Sequence, residues 1–554
     1  MAGPGRVVAP RWPALAALAA LPLAVLLVFF VLPVGAMLLR GLAPDGHLDL
    51  GAALEVLGRD RTRRVLWFTL WSAGLGTLLA LLLGLPAAYA LHRLAFPGAA
   101  LLRALVLVPF VLPTVVVGAA FRALLGEGGW LAFLGWDGTP AAIVAALVFF
   151  NVAVVVRVVG GAWASLDRRA EEAAAALGAS PARVLATVTL PALRTAITSA
   201  AVVVFLFCST AFGVVLTLGG LRHATVETEI YLLTRAFDLP AAACLALVQV
   251  VTVVLLLLLV GRLRPAEETV DRAPVAPRGV RRGDLPALGA TLLVAAGLVV
   301  PMAALVVASL QVRGTWTLGN FRALQQPDVS TALVVPVTEA LRNSLQVAVD
   351  ATWMALLLGV LVSLVVTRRA RGRGERVVRR VLDGFFMLPL GVSAVVLGFG
   401  LLVTVARPPL ALRDEPLLVP LVQALVALPL VVRTLVPVLA GIDDRQRQAA
   451  ASLGASPART LLVVDLPVVW RPLLAAGGFA FAVSLGEFGA TSFLSRPDHP
   501  TLPVVIGRLL GSPGQVGEQS NAGMAMAAAV VLAVCVTVVM LLVERLRVPS
   551  LGEV

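Results

Sequence analysis

Few residues in this 554-residue chain are charged, and one polar cluster occurs twice. Residues 172–191 read EAAAALGASPARVLATVTLP; residues 448–467, 276 positions later, read QAAASLGASPARTLLVVDLP. Between 172–193 and 448–469, 14 of 22 positions are identical. Each copy stands between long apolar segments. A duplicated, arginine-bearing loop in a chain that is otherwise almost all apolar suits the docking of a soluble partner. The chemistry this points to is docking. Two other kinds of site find no support. All 44 basic residues are arginine, so the chain has no phosphate-binding loop, which requires a lysine on the phosphates. If ATP drives this protein, another subunit binds it. Cys208, Cys244 and Cys535 fall singly in apolar segments, and His47, His92, His223 and His499 are dispersed. Neither set has the spacing of a disulfide framework or a metal site.

The elements that must hold these blocks are membrane helices. With 59% hydrophobic residues, 14% charged and a mean hydropathy of +0.97, the chain is expected to be an all-α polytopic membrane protein. Twelve apolar segments are expected to cross: roughly 13–39, 65–91, 101–121, 140–164, 193–218, 240–261, 286–310, 343–366, 381–404, 417–440, 472–494 and 523–544. The first is too long for the apolar core of a signal peptide and reads as a retained helix. Residues 262–285 are rich in Pro, Arg and Glu and read as a polar linker. It divides a first half, 1–261, from a second, 286–554. The halves repeat at a steady offset: Leu112-Pro113 with Leu388-Pro389, Val155-Val156-Arg157 with Val431-Val432-Arg433, and Phe212-Gly213 with Phe488-Gly489. Six spans per half make the repeat parallel, so both polar blocks must face one compartment. The net charge of +13 sits mainly in segments on that same side, including Arg368, Arg369, Arg371, Arg373, Arg376, Arg379 and Arg380. That side is therefore cytoplasmic, both termini with it. With no soluble basic domain, nucleic acid is not an expected partner. Residues 40–64, with Arg40, Arg59, Arg61, Arg63 and Arg64, oppose this assignment.

Each polar block, about 168–191 and 444–467, reads as two short helices joined by an elbow. Residues 168–177 favour helix. Gly178 suits the left-handed conformation that ends one, Ser180 caps the next and Pro181 fits its first turn. Gly454, Ser456 and Pro457 repeat this grammar. Pro191 and Pro467 mark entry into the following membrane helix. Within the membrane, Glu487 is the expected pathway carboxylate, with Phe488 and Gly489 beside it. Ionisable groups at such depth are costly, about 2.5–3.5 kcal/mol on insertion scales. Two readings are open for Glu487: pairing with a cationic substrate, or hydrogen bonding between helices. Arg157 and Arg433 are expected to snorkel or brace the polar block, and Asn151 and Asp350 to hydrogen-bond between helices. Pro86, Pro113 and Pro389 fall within spans and allow kinks.

Glu172-Ala173-Ala174, Gly178, Val188 and Leu190-Pro191 resemble, position for position, the EAA motif of ABC importer permeases. Ala449-Ala450, Gly454, Val464 and Leu466-Pro467 repeat it, with a departure at Gln448, where the family has Glu. The resemblance implies a type I importer permease with two fused halves, a non-catalytic subunit of the bacterial inner membrane. It implies that Glu172, Ala173, Ala174, Gly178, Gln448, Ala449, Ala450 and Gly454 couple to two ABC ATPase subunits. Those subunits would hold ATP and Mg, so no cofactor is expected in this chain. It further implies an extracytoplasmic binding protein that delivers substrate, and membrane lipid around the bundle. The fused layout is similar to importers for thiamine and ferric iron. Residues 208–249 and 484–506 most resemble thiamine permeases. Residues 486–491 (GEFGAT) are also similar to molybdate and sulfate permeases. The alternatives from other classes are an ion-coupled secondary transporter, against which stand the few membrane-embedded carboxylates and an elbow left without a purpose, and a membrane scaffold or assembly factor.

Overall fold

The computed structural model describes residues 12–43, 47, 49–220, 222–263, 276–327, 331–368, 372–405, 411–512, 514–516 and 519–546. It is a polytopic all-α fold. Among these residues ten helices are long and apolar enough to cross a membrane, and shorter apolar helices accompany them. The ten overlap ten of the twelve expected segments, but in place of 193–218 and 472–494 the helices Pro181–Ser209 and Ala458–Leu485 begin earlier and end before the expected segments do. The other two segments, 101–121 and 381–404, are each broken at their matched Leu-Pro pair. The first divides into helices Ala99–Val111 and Thr114–Leu125, with Leu112 extended between them. The residue before a proline is pushed out of the helical region, and Pro113 removes a donor besides. The second divides into Arg373–Phe386 and Ala394–Val403, with a 3-10 turn Leu388–Gly391 between. Ser393 caps the later helix by accepting from Val396 N–H at 3.1 Å. Pro86, by contrast, lies inside the unbroken helix Asp60–Arg93.

The chain forms two compact units: residues 1–37, 344–494 and 538–550 in one, residues 38–343, 495–537 and 551–554 in the other. The first copy of the polar block belongs to the second of these, the second copy to the first. In the larger unit, Asp60–Arg93 packs on Pro140–Ala164 and Leu190–Ser209. The contact is backbone-close: a Cβ at Gly84 would stand 2.7 Å from Val155 side-chain atoms. In the other unit, a core of Ala351, Ala355, Ala424, Ala427, Ala476 and Ala480 lets helices Val337–Thr367, Leu418–Ala440 and Leu466–Leu485 approach. There a Cβ at Gly359 would overlap Val431. Helices surrounded by lipid gain little from apolar burial alone, so small residues and close packing hold them. Trp67, Leu70, Leu78 and Leu82 remain exposed on Asp60–Arg93, as a lipid-facing stripe requires.

Most of the expected linker, 264–275, lies outside the described residues. Its last part is ordered. Arg278-Gly279 pairs in parallel with Leu94-Ala95. Asp284 accepts from both guanidinium nitrogens of Arg278 at 2.8 Å, from Tyr89 O–H at 2.8 Å and from Arg281 N–H at 2.8 Å. Three arginines of the basic segment 40–64 are paired with acids. Arg59 pairs with Asp238 at 2.9 Å, Arg61 with Glu229 at 2.7 Å and Arg63 with Asp60 at 2.6 Å.

Candidate functional site

Each polar block folds as the elbow its residues specify. In the first copy, Asp167 accepts from Arg169 N–H at 2.9 Å and starts helix Arg169–Ala176. The helix stops at Gly178, whose φ is +84°. Gly178 N–H donates to Ala175 C=O and Ala179 N–H to Ala174 C=O, at 3.0 and 3.1 Å. These two bonds satisfy carbonyls that the helix end would leave unpaired. Ser180 then accepts from Arg183 N–H, and Pro181 opens the second arm. The second copy repeats every step. Asp443 accepts from Arg445 N–H at 2.9 Å; Gly454 has φ +81°; Gly454 and Ala455 N–H donate to Ala451 and Ala450 C=O at 3.0 Å; Ser456 accepts from Arg459 N–H at 3.2 Å.

The expected docking residues are outward. Glu172, Ala173, Gln448 and Ala449 are exposed, and Ala174 and Ala450 half-buried. At the apex, just before each glycine, Leu177 is 90% exposed and Leu453 89%. Two equivalent leucines so uncovered are poor neighbours for water and good ones for an apolar pocket. One expectation changes. Pro191 and Pro467 do not begin new helices. The second arm runs on through a five-residue π turn, Leu185–Thr189 or Leu461–Asp465, into Leu190–Ser209 or Leu466–Leu485.

Beneath each elbow lies a charged brace. Arg93 side chain is 3% exposed and pairs with Glu171 at 2.5 Å. It also donates to Leu166 C=O at 2.9 Å, capping the end of helix Pro140–Ala164. Thr189 O–H donates to the other oxygen of Glu171 at 2.9 Å. In the second copy Asp465, 1% exposed, accepts from Arg368 at 2.6 Å and Arg447 at 2.8 Å. Arg447 also donates to Leu439 C=O at 3.1 Å, capping Leu418–Ala440. Neither brace was foreseen from the sequence. Nearby, Arg168 has its guanidinium shifted below the ordinary range by burial and by the Arg93 and Arg278 charges.

The expected pathway residues occupy a helix break between Leu466–Leu485 and Thr491–Leu494. Glu487 and Phe488 are buried. The Glu487 carboxylate accepts from Ala490 N–H at 2.8 Å, Thr491 N–H at 3.0 Å and the Thr491 hydroxyl. Gln423 donates to Thr491 at 2.9 Å and accepts from Ser484. A Cβ at Gly489 would meet Ala394 Cβ at 3.1 Å. Four residues of this network, Gln423, Ser484, Glu487 and Thr491, match Leu147, Cys208, Ala211 and Val215 in the first half, so the polar cluster exists once. Arg157 and Arg433 point outward from their helices. Asn151 donates to Leu147 C=O at 2.8 Å and reaches Cys208 Sγ at 3.3 Å, whereas Asp350 accepts from Trp353 of its own helix.

A bundle of spans with an elbow in each of two repeats is the architecture of an importer's membrane subunit. The sequence matches the family described as binding-protein-dependent transport system inner membrane component twice, over residues 76–266 and 330–548, and the chain belongs to that family. It is a multi-pass, non-catalytic ABC importer permease of the inner membrane, which works with an ATPase and a substrate-binding protein. Among its relatives is the thiamine transport system permease protein of Brucella abortus (strain 2308), 30% identical over 471 residues, 81% of this chain and 82% of the relative. The protein of the same name from Escherichia coli (strain K12) is 30% identical over 470 residues, 81% and 83% of the two chains. A probable ABC transporter permease protein of Sinorhizobium fredii (strain NBRC 101917 / NGR234) is 25% identical over 527 residues, 88% and 90%.

Proposed function

We propose that this permease imports thiamine, and that each elbow receives one of two cytoplasmic ATPase subunits. Relatives named as thiamine permeases cover four fifths of both chains without a break in layout, and this observation supports the substrate most. In this reading residues 1–261 and 286–554 are two permease halves joined by 262–285, both termini are cytoplasmic, and lipid surrounds the exposed apolar faces. The binding protein delivers thiamine from outside. Closure of the ATPases on ATP pulls on the elbows and drives thiamine across. Glu172, Ala173, Ala174 and Gly178, with Gln448, Ala449, Ala450 and Gly454, are the docking residues. Gln448 makes the second dock uncharged where the first is anionic. Glu487, Phe488 and Gly489 belong to the pathway wall. The three donors on the Glu487 carboxylate support its holding the helix break open rather than neutralising a cation.

Uptake of labelled thiamine at low external concentration, in cells with and without the gene, tests the substrate. Loss on deletion and recovery on complementation are expected. Equal uptake would refute thiamine, and labelled ferric iron would be tested next.

A further inference from the structure

The two elbows are near copies, but the charges beneath them are reversed. Position 171 is Glu and its equivalent, 447, is Arg. Position 189 is Thr and its equivalent, 465, is Asp. The third member comes from the preceding long helix, where the repeat offset is 275, as the shared ALLLG at 80–84 and 355–359 shows. That offset makes Arg93 equivalent to Arg368. One carboxylate therefore sits between the long helix, the first elbow arm and the base of the second arm in both copies. In the first copy the elbow arm supplies it, through Glu171, and Thr189 completes the contact. In the second the base of the span supplies it, through Asp465, and the elbow arm answers with Arg447. The helix-end carbonyl beside the brace is served by whichever arginine is near. Arg93 reaches Trp163 C=O at 3.5 Å, and Arg447 reaches the equivalent Leu439 C=O at 3.1 Å.

We propose that Glu171 and Asp465 are positioning residues for energy coupling. Each locks the first arm of its elbow to its own membrane helix, so that arm and span move as one body; the polarity is reversed, and in the second copy Asp444 adds a further acid on Arg447 at 3.0 Å. This rests on the elbows' being the ATPase docks, as proposed above. A sequence whose elbow were merely a passive loop would not need to replace one three-point ion pair by its reversed counterpart. Burial also makes each lock demanding. A carboxylate 1% exposed, such as Asp465, is strongly dependent on both of its guanidinium partners.

Reversal makes the proposal testable by transplantation. E171R places two guanidinium groups together without a carboxylate, and T189D alone places two carboxylates on one arginine. E171R/T189D, made in an R168D background that supplies the equivalent of Asp444, the second acid on Arg447 at 3.0 Å, reproduces the second copy's arrangement in the first. The full transporter, reconstituted with its ATPase and thiamine-loaded binding protein, is assayed for thiamine moved per ATP hydrolysed and for ATPase retained on purification. E171R and T189D are each expected to lower the ratio at least tenfold with ATPase still retained. The double variant in that background is expected to return within threefold of wild type. A double variant in that background no better than E171R, in a normally inserted protein, would overturn the proposal. So would an unchanged ratio in E171R while G178V abolishes coupling. If E171R does not insert, E171D and E171Q decide: the first should keep the ratio and the second lose it, and equal behaviour overturns the lock. Should E171R and G178V both leave retention and ratio untouched, the elbows are not the docks, and the reading on which this rests falls with it.

Discussion

Replacing Gly178 and Gly454 isolates one physical quantity. Both have φ near +80°, and a Cβ at either would meet nothing within 4 Å. No clash with a neighbour complicates the result, so the cost is that of the left-handed backbone alone. For ordinary L-residues this is about 1–2 kcal/mol, more for a β-branched one, and little for Asn, which tolerates the region. At about 1.4 kcal/mol per decade, G178A depletes the docked geometry of that elbow roughly 5- to 30-fold. The double variant G178V/G454V depletes both elbows by more. The membrane bundle does not depend on either turn, so insertion and thermal stability of the extracted protein should change little. ATPase retention and ATP-driven uptake should fall in the order Asn, Ala, Val. A G178V/G454V protein that retains its ATPase and transports at the wild-type rate would refute both the strain argument and the docking assignment. Equal losses for Asn and Val would refute the strain argument alone.

Other substitutions probe other layers. Leu177 and Leu453, if buried by an ATPase pocket, each contribute up to about 1.5–3 kcal/mol; L177S or L453S should weaken ATPase binding roughly 10- to 100-fold, and unchanged titration of the ATPase onto the permease would exclude an apolar pocket. G84V and G359V force apart helices that touch at Val155 and Val431; each should cost about 1–3 kcal/mol as overpacking, read as a lower unfolding temperature in detergent, with V155A or V431A restoring part of it. E229Q removes the charge that holds Arg61 at 2.7 Å, on an acid 6% exposed. E229Q should destabilise the protein by no more than about 3–5 kcal/mol, the cost for a fully buried pair, less because Arg61 is 42% exposed; an unchanged unfolding temperature would make this pair an ornament.

The elbow was legible in the sequence because its determinants are local. Gly178, Ser180 and Pro181 lie within four residues, and each enforces its own backbone state. The apolar spans were legible for the same reason. The braces were not. Arg93 meets Glu171 across 78 residues and Arg368 meets Asp465 across 97. Their repeat offset is 275 where the blocks use 276, and the reversed polarity hides the equivalence from any comparison by residue identity. The pairing of Arg59 and Arg61 with Asp238 and Glu229 spans 179 and 168 residues, and no local pattern announces it. The breaks at Leu112 and near Leu388 follow from prolines the sequence displayed, yet Pro86 breaks nothing. A proline says that a helix loses a bond, not whether the surrounding bundle tolerates the loss.

The two outcomes for proline bear on how the elbow drives the span. At Pro113 the chain breaks; at Pro191 and Pro467 it continues, and a π turn stands immediately before each. Widening the turn by one residue relieves the clash between the proline ring and the carbonyl four residues earlier. The second arm and the span thus form one helix, Pro181–Ser209 in the first copy, about 43 Å long at 1.5 Å per residue. The last residue of each π turn is Thr189 or Asp465, the one the brace holds. Elbow, turn and span are then a single lever, and the extra residue sets the rotation of the elbow about it. Changing Pro191 and Pro467 to Ala tests whether the prolines hold the wide turn. If the helix regularises, the arm rotates by about 100°, one residue's share of a helical turn, and its leucine faces elsewhere. P191A/P467A should insert as well as wild type and lose coupling, measured as thiamine moved per ATP. Wild-type coupling in that variant would show that the π turns do not set the elbows' direction.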